Sequence, residues 1–134
     1  MPEQAIRPLG IRLHQRSRTL ELEYPEGEVY SLPCEYLRVY SPSAEVRGHG
    51  PGQETLQSGK LNVAITAIKP VGHYALQLVF DDGHDTGLYA WDYLHQLCTQ
   101  QEQWWQQYLD RLAQAGLNRD PDVQVLQFDP GKAT

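Results

Sequence analysis

The segment FDDGHDTGLYAWDYL, residues 80–94, constrains the fold of this chain more than any other part of the sequence. It joins an alternating strand pattern to a helical pattern through an Asp-Gly pair, and glycine readily adopts the positive φ that tight turns require. A lone histidine, His84, lies at the bend. The segment therefore predicts a strand, a tight turn and a helix, with one candidate ligand at the turn.

The size and charge of the chain narrow the class of protein. Its 134 residues favour one domain, and 21% charged with 40% hydrophobic residues is a usual globular composition. The formal net charge of -6 disfavours a nucleic-acid partner, because phosphate binding depends on Lys and Arg. No apolar run approaches the roughly 18 residues of a membrane span, so we expect no membrane association.

Cysteine usage and the N-terminus indicate a compartment. Cys34 and Cys98 are the only cysteines, and the first residues contain no apolar signal-peptide core. A reducing cytoplasm fits this pattern best. Both thiols lie in apolar patterns, where burial raises a thiol pKa and lowers reactivity.

Alternating residues predict the β-structure. In residues 19–24 apolar side chains alternate with polar ones, and 28–32 resume the alternation after Pro25-Glu26-Gly27, which predicts a β-hairpin. Further strands are predicted at residues 11–13, 61–68, 74–80 and 86–89, a turn at 70–73, and a short helical turn at 34–40. The 74–80 strand is predicted to be central, with Tyr74, Leu76, Leu78 and Phe80 on one apolar face.

A helical stripe follows the strands. From Trp91 to Ala115 the apolar residues recur every three or four positions, and Gly116 stands where a C-terminal cap is expected. The polar run 99–103 predicts a bend or a boundary between two helices. The predicted fold is α+β, with antiparallel hairpins or a sheet packed against a C-terminal helical segment.

Residues 41–60 form a predicted long loop rich in Gly and Pro, and long loops in compact domains are often functional. A phosphate-binding loop is not expected there. Six residues lie between Gly52 and Gly59, and Leu61 stands where a Ser or Thr hydroxyl is needed, whereas that motif has four residues between its glycines.

Carboxylates surround the histidine at the turn. Asp81, Asp82 and Asp85 with His84 could hold a divalent cation. Adjacent residues on a tight turn point in divergent directions, however. We therefore favour an Asp82-Gly83 turn in which the carboxylates accept hydrogen bonds from backbone amides.

Catalytic motifs are missing from the sequence, which contains neither GxSxG nor HExxH. We therefore expect the chain not to be an enzyme. Trp91 and Trp105 fall on the apolar stripe and are predicted to be core residues. Trp104 lies one helical step, about 100°, from the stripe and is the predicted interface residue.

The motifs LRVYSPSAEV at 37–46 and GKLNVAITAIKPVGHYALQLVFDDGHDTGLYAWDYLHQL at 59–97 carry a resemblance. With the preceding hairpin, they make the chain similar to the gamma-butyrobetaine hydroxylase-like N-terminal domain family, formerly a domain of unknown function. The resemblance implies a domain at residues 11–97, preceded by a loose arm at 1–10 and followed by a helical extension at 98–116 and a tail at 117–134.

The resemblance also implies a metal site and its loss. In the hydroxylases this domain precedes an oxygenase barrel and binds zinc through a C-x-C-x-x-C run and the histidine of the DGH motif. Here Ser41, Ser43 and Val46 replace the three thiolates while His84 remains. We therefore expect no structural zinc, and expect His84 to form hydrogen bonds within the turn or to line a surface pocket. The chain resembles stand-alone bacterial-type members without the oxygenase domain, so hydroxylase activity is not carried over.

Two function hypotheses follow. The leading one is a non-catalytic cytoplasmic binding or adaptor module for an unidentified protein partner, without a cofactor, whose face includes Arg38, His84 and the 41–60 loop, with Trp104 as a further contact. The alternative is a metal-binding accessory protein in which His84 and nearby carboxylates take iron or zinc. Related domains attached to P-loop iron-sulfur carriers would link that alternative to iron-sulfur cluster assembly.

Overall fold

The computed structural model describes residues 6–48 and 52–123, and it confirms the predicted α+β fold. Two antiparallel three-stranded sheets are followed by two C-terminal helices. In chain order the elements are β1 (Gly10–His14), β2 (Thr19–Glu23), β3 (Val29–Pro33), α1 (Cys34–Val39), α2 (Ala44–Arg47), β4 (Ile65–Val71), β5 (Ala75–Phe80), β6 (Leu88–Ala90), α3 (Trp91–Thr99) and α4 (Gln101–Ala115).

The first sheet has the order β1-β2-β3 and contains the predicted hairpin. Leu20 and Leu22 of β2 are fully buried, while the intervening Glu21 faces outward and accepts a hydrogen bond from Arg12 at 2.8 Å. Gly27 in the connecting turn has φ 91°, a value that favours glycine. The alternation of apolar and polar residues thus sets which face of this sheet is buried.

The second sheet has the order β4-β5-β6, and β5 is its central strand, as predicted. The predicted bounds of β4 were wrong, because the strand starts at Ile65 and continues through Pro70 and Val71, which were expected to form a turn. Proline is tolerated there because β4 is an edge strand whose outer side needs no hydrogen-bond donor. Tyr74 was placed on the buried face, but it is 60% exposed and precedes β5.

The helical region divides into α3 and α4 at Gln100, inside the polar run that predicted a boundary. Leu94, Leu97 and Cys98 bury the inner face of α3. Gly116 ends α4 in the left-handed conformation, with φ 66° and ψ 28°. The helical stripe and its C-terminal cap are therefore confirmed.

The core lies between the sheets and the helices, and every residue of α1 is buried in it. Tyrosine hydroxyls tie the layers together: Tyr36 donates to the Leu97 carbonyl at 2.8 Å, and Tyr89 donates to the Leu37 carbonyl at 2.5 Å. These bonds satisfy buried polar atoms and fix α1 against α3 and β6. Within the described residues, every helix is too short or too polar to cross a membrane. Residues 124–134 of the predicted tail lie outside the described residues.

Candidate functional site

The structure brings three residues of one short segment, Ser41, Ser43 and Glu45, to the buried imidazole of His84, which is about 40 positions away in the sequence. Its Nε2 lies 2.8 Å from Ser41 Oγ and 3.4 Å from Ser43 Oγ, and its Nδ1 lies 3.3 Å from Glu45 Oε2. We call Ser41, Ser43, Glu45 and His84 the His84 cluster. Ser41 follows α1, Glu45 is on α2, and His84 is on the turn after β5.

Hydrogen-bond chemistry indicates where the protons of the cluster lie. A carboxylate only accepts, so the Glu45 contact favours a proton on His84 Nδ1. Nε2 then accepts from the Ser41 hydroxyl, whose oxygen in turn accepts the Ser43 amide at 3.3 Å. Burial lowers the pKa of His84, and Arg38 lowers it further, while Glu45 opposes the shift. The neutral imidazole is therefore the favoured form near neutral pH.

Asp82 holds the turn beside the His84 cluster. Its Oδ2 accepts from Arg38 Nε at 2.8 Å and from Lys60 Nζ at 2.6 Å, and its Oδ1 accepts the His84 amide at 3.1 Å. Partial burial alone would raise the pKa of Asp82, but these bonds from Lys60, the His84 amide and Arg38 lower it to about 2. The predicted capping role of the turn carboxylates is confirmed for Asp82 and for Asp81, which accepts the Ala64 amide.

Arg38 was predicted to belong to the functional face, and the structure places it behind the turn. The residue is 7% exposed. Among the described residues its Nη1 is buried without a hydrogen-bond partner. Its bond to Asp82 makes Arg38 a support for the His84 turn.

The order Ser41, His84 and Glu45 matches the hydroxyl, imidazole and carboxylate of a hydrolase triad. The family resemblance placed Ser41 and Ser43 beside His84 as replaced zinc ligands, but the contact of Glu45 with the ring was not predicted. Ser41 is, however, only 1% exposed, and a Cβ added at Gly87 would lie 2.5 Å from its Oγ. The Ser41 hydroxyl is therefore crowded on the Gly87 side and barely exposed, which disfavours a nucleophilic role.

The residues present do not fit the zinc site that the family resemblance implies. Ser41 and Ser43 supply neutral hydroxyls in place of thiolates, and the buried Val46 has no ligand atom. Among the described residues, no three His, Cys, Asp or Glu side chains are grouped so that they could hold a metal ion. The two cysteines, Cys34 and Cys98, are free and buried elsewhere, and burial raises the pKa of Cys98 to about 12.

An open cleft of about 670 Å³ lies next to the His84 cluster, between the 39–48 segment, residues 54–57, α3 and α4. Tyr93 donates to the Tyr40 carbonyl at 2.6 Å, and Tyr108 donates to the Gln57 carbonyl at 2.8 Å. With these hydroxyls engaged, the tyrosine rings remain as the wall of the cleft. Its principal apolar lining is Tyr40, Val46, Leu56, Tyr93 and Tyr108.

Two exposed arginines, Arg47 and Arg111, also line this cleft. The Arg47 guanidinium carbon lies 4.6 Å from the centre of the Tyr93 ring, a cation–π distance. Burial raises the pKa of Tyr40 and of Tyr93, and Arg111 and Arg47, respectively, oppose these shifts. Within the described residues neither arginine forms a salt bridge.

Trp104 supports the cleft from behind. Its ring centre lies 5.5 Å from that of Tyr40 and 6.1 Å from that of Tyr93, and its carbonyl accepts from the Tyr40 hydroxyl at 2.7 Å. Trp104 and Trp105 are both half-buried against the core. The two side chains therefore differ less in burial than the helical spacing predicted. The interface role of Trp104 stays a prediction.

The predicted 41–60 loop contains a short helix, α2, so its description as loop throughout was wrong. One helical turn of four residues is too short to produce apolar periodicity. Two described parts of the segment are joined, because the Thr55 amide donates to the Val46 carbonyl at 2.7 Å. Gly48 ends α2 with φ 72°, and a Cβ there would overlap the Gln53 carbonyl.

The fold and the site together define a small two-sheet α+β domain with an enclosed imidazole cluster beside an open cleft. The family profile described as Gamma-butyrobetaine hydroxylase-like, N-terminal, matches residues 11–95. The chain belongs to this family, which confirms the resemblance of its motifs.

Solved structures that are similar to the chain include the following three. One NMR solution structure is 53% identical, covers 93% of this chain and 98% of its own, and has a TM-score of 0.79. A second NMR structure is 46% identical with coverages of 96% and 98% and a TM-score of 0.75. A crystal structure from Acidithiobacillus ferrooxidans, described as a DUF971-family protein with unknown function, is 38% identical with coverages of 68% and 91% and a TM-score of 0.53. Among curated proteins, none matches the chain.

Proposed function

We propose that this chain is a non-catalytic binding module that recognises a protein partner through the cleft and the surface around it. This recognition face comprises the cleft lining, residues 39–48, 54–57, 93, 108 and 111, and the 81–84 turn with Arg38 supports it from behind. The observation that carries the proposal is the pair of rim arginines, Arg47 and Arg111, which lack carboxylate partners among the described residues. Free guanidinium groups beside aromatic rings are typical of recognition surfaces.

The His84 cluster supports this proposal as a structural element. It connects the loop after α1, α2 and the 81–84 turn, so it fixes one wall of the cleft. Both ring nitrogens of His84 contact protein groups, and the metal-binding alternative therefore draws no support from this geometry. The closed position of Ser41 likewise favours binding over catalysis.

A cytoplasmic location is part of the proposal. Cys34 and Cys98 are free thiols within the core. Unpaired cysteines in a small domain are expected in a reducing compartment. The same argument favours partners from the cytoplasm.

Affinity capture with matched variants tests the proposal. The double variant Arg47→Glu with Arg111→Glu reverses the charge of the rim, while Arg16→Glu changes an exposed arginine outside the cleft. We expect the wild type and Arg16→Glu to retain the same partner and the double variant to lose about 90% of it or more, because the new carboxylates would repel the acidic groups that the arginines attract. Equal recovery by all three proteins would refute the proposed face.

Labelling with a fluorophosphonate separates binding from hydrolysis. The buried Ser41 oxygen should remain unmodified. Stoichiometric labelling that disappears in Ser41→Ala would show that the serine is an accessible nucleophile, and the non-catalytic proposal would then be wrong.

A further inference from the structure

We propose that the group of the protein partner that enters the cleft has an apolar, preferably aromatic, body and a single carboxylate or phosphate head, and that small organic anions of the same chemistry bind there. The inference rests on the proposed function, since it assigns a ligand chemistry to the same recognition face. Three properties of the cleft support it: its size, the chemistry of its wall and the charge of its rim.

The size of the cleft suits a small molecule. Its volume of about 670 Å³ falls within the roughly 300–1,000 Å³ of typical ligand sites. It opens to solvent next to residues 54–57, whose backbone is tied to α2 through Thr55 and to α4 through Tyr108. A ligand would therefore enter a pre-formed site and would not have to order this segment.

The wall of the cleft selects an apolar body. The hydroxyls of Tyr40, Tyr93 and Tyr108 all donate to backbone carbonyls, of Trp104, Tyr40 and Gln57 respectively. These hydroxyls are thus already satisfied, and the rings offer carbon surface to a ligand. Val46 and Leu56 add aliphatic surface to the same cleft. A flat aromatic or short aliphatic group gains most from such a wall.

The rim of the cleft selects an anionic head. Arg47 lies over the Tyr93 ring at 4.6 Å, an arrangement that holds the guanidinium plane while its edge can still donate hydrogen bonds. Arg111 supplies a second guanidinium, and Glu54 is the only acidic residue among those that line the cleft. Two cations against one anion make the local charge positive on a chain with a formal net charge of -6. Planar guanidinium groups bind carboxylate and phosphate through paired hydrogen bonds.

An NMR titration of the full, isotope-labelled chain tests the inference with three probes. 4-Phenylbutyrate carries the proposed body and head, 4-phenylbutyramide carries the same body without charge, and phenyl phosphate exchanges the head group. We expect amide shifts at residues 39–48, 54–57, 93 and 108–111, and an affinity about tenfold or more higher for either anion than for the amide. The tighter of the two anions identifies the natural head group.

A matched pair of variants assigns the effect to the rim. Arg47→Gln with Arg111→Gln should weaken phenylbutyrate binding about tenfold or more without lowering the urea midpoint, and Arg16→Gln should bind as the wild type does. Equal binding of acid and amide, binding that the double variant retains, or no cleft shifts at millimolar probe would overturn the inference. If partner capture still depends on the rim arginines in that case, the proposed function stands and only the ligand assignment fails.

Discussion

His84 connects the segments that form one wall of the cleft in the proposed recognition face. Its environment favours an uncharged ring. The imidazole is 7% exposed, and its neighbours are two hydroxyls and one carboxylate. Desolvation lowers the His84 pKa below its ordinary value of 6.5, with Arg38 acting in the same direction. The neutral form can accept the Ser41 hydrogen bond, whereas the protonated form cannot.

The titration of His84 should show directly that its environment lowers the pKa of the ring. Because the folded-state pKa is lowered, the unfolded chain binds more protons between that value and 6.5, so stability falls as the pH decreases through this window. An NMR titration of the imidazole should give a midpoint below 6.5. Glu45→Gln should lower the midpoint further, because the carboxylate stabilises the protonated ring. A wild-type midpoint above 6.5 would contradict the proposed tautomer and cluster.

Asp82 provides a second residue-scale prediction, with its own pH window. Its pKa is lowered from 3.8 to about 2, so the carboxylate stabilises the folded state above about pH 4 and this contribution is lost as the pH falls toward 2. Asp82→Asn should lower the free energy of unfolding by about 1–2 kcal/mol at pH 7, allowing for solvent screening. Urea unfolding at several pH values measures this difference.

A neighbouring aspartate is the control for that measurement. Asp85 is exposed, and among the described residues its carboxylate makes no hydrogen bond or salt bridge. Asp85→Asn should therefore change the free energy of unfolding by less than about 0.5 kcal/mol. A difference in the free energy of unfolding between wild type and Asp82→Asn that stays constant down to pH 2 would show that the ionised carboxylate of Asp82 is not stabilised by Arg38, Lys60 and the His84 amide.

Some residue roles were predictable from the sequence and others were not. The Asp82-Gly83 pair predicted both a turn and a capping carboxylate, because this chemistry acts over two residues. The Ser41–His84 contact joins residues 43 apart. Its formation depends on how α1 and β5 pack in the core, which local patterns do not specify.

At the scale of elements, the 41–46 segment and the 81–84 turn place serine hydroxyls near His84 at distances close to those of zinc ligands, but the segment lacks thiolates. In a tetrahedral site, zinc distances of about 2.1 Å to nitrogen and 2.3 Å to sulfur place those atoms about 3.6 Å apart. The serine oxygens lie 2.8 and 3.4 Å from His84 Nε2. The backbone therefore positions residues 41 and 43 near the places that thiolates would occupy.

Restoring the ligands should restore metal binding. We expect the wild type, purified without a polyhistidine tag, to carry no stoichiometric zinc by elemental analysis, since hydroxyls and a valine are poor ligands. The variant Ser41→Cys, Ser43→Cys, Val46→Cys should bind about one zinc per chain. Adding His84→Ala to the triple variant should weaken that binding. One zinc per wild-type chain, or none in a folded triple variant, would contradict this account of the segment.

Secondary structure was predictable where the pattern is long. The polar run predicted the division between α3 and α4, and alternation predicted β2, β3 and β5. The bounds of β4 were not predictable, because Pro70 normally marks a turn. Only its position on a sheet edge permits it in a strand. The single turn of α2 leaves no periodic signal.

At the scale of the whole molecule, charge is distributed unevenly. A formal net charge of -6 argued against a nucleic-acid partner, but the folded chain places Arg47 and Arg111 together on one cleft. These residues come from α2 and α4, which are distant in the sequence. Net charge describes the average surface, whereas recognition depends on local charge.

The aromatic layer behind this cleft is also formed by residues from distant parts of the sequence. Helical spacing predicted that Trp104 lies off the buried stripe. Its ring nevertheless packs on Tyr40, the residue after α1, and on Tyr93 of α3. The helix alone does not reveal a neighbour that a distant part of the chain supplies. Trp104 therefore connects the core to the recognition face.

Photo-crosslinking in cells tests the central claim, recognition through the cleft, most directly. A benzophenone amino acid in place of Gln57 would lie at the cleft, and one in place of Gln103 would lie on an exposed part of α4 away from it. We predict one dominant adduct with a cytoplasmic protein from position 57, lost when Arg47→Glu and Arg111→Glu are added, and no such adduct from position 103. The same adduct from both positions, or none from position 57, would contradict the account.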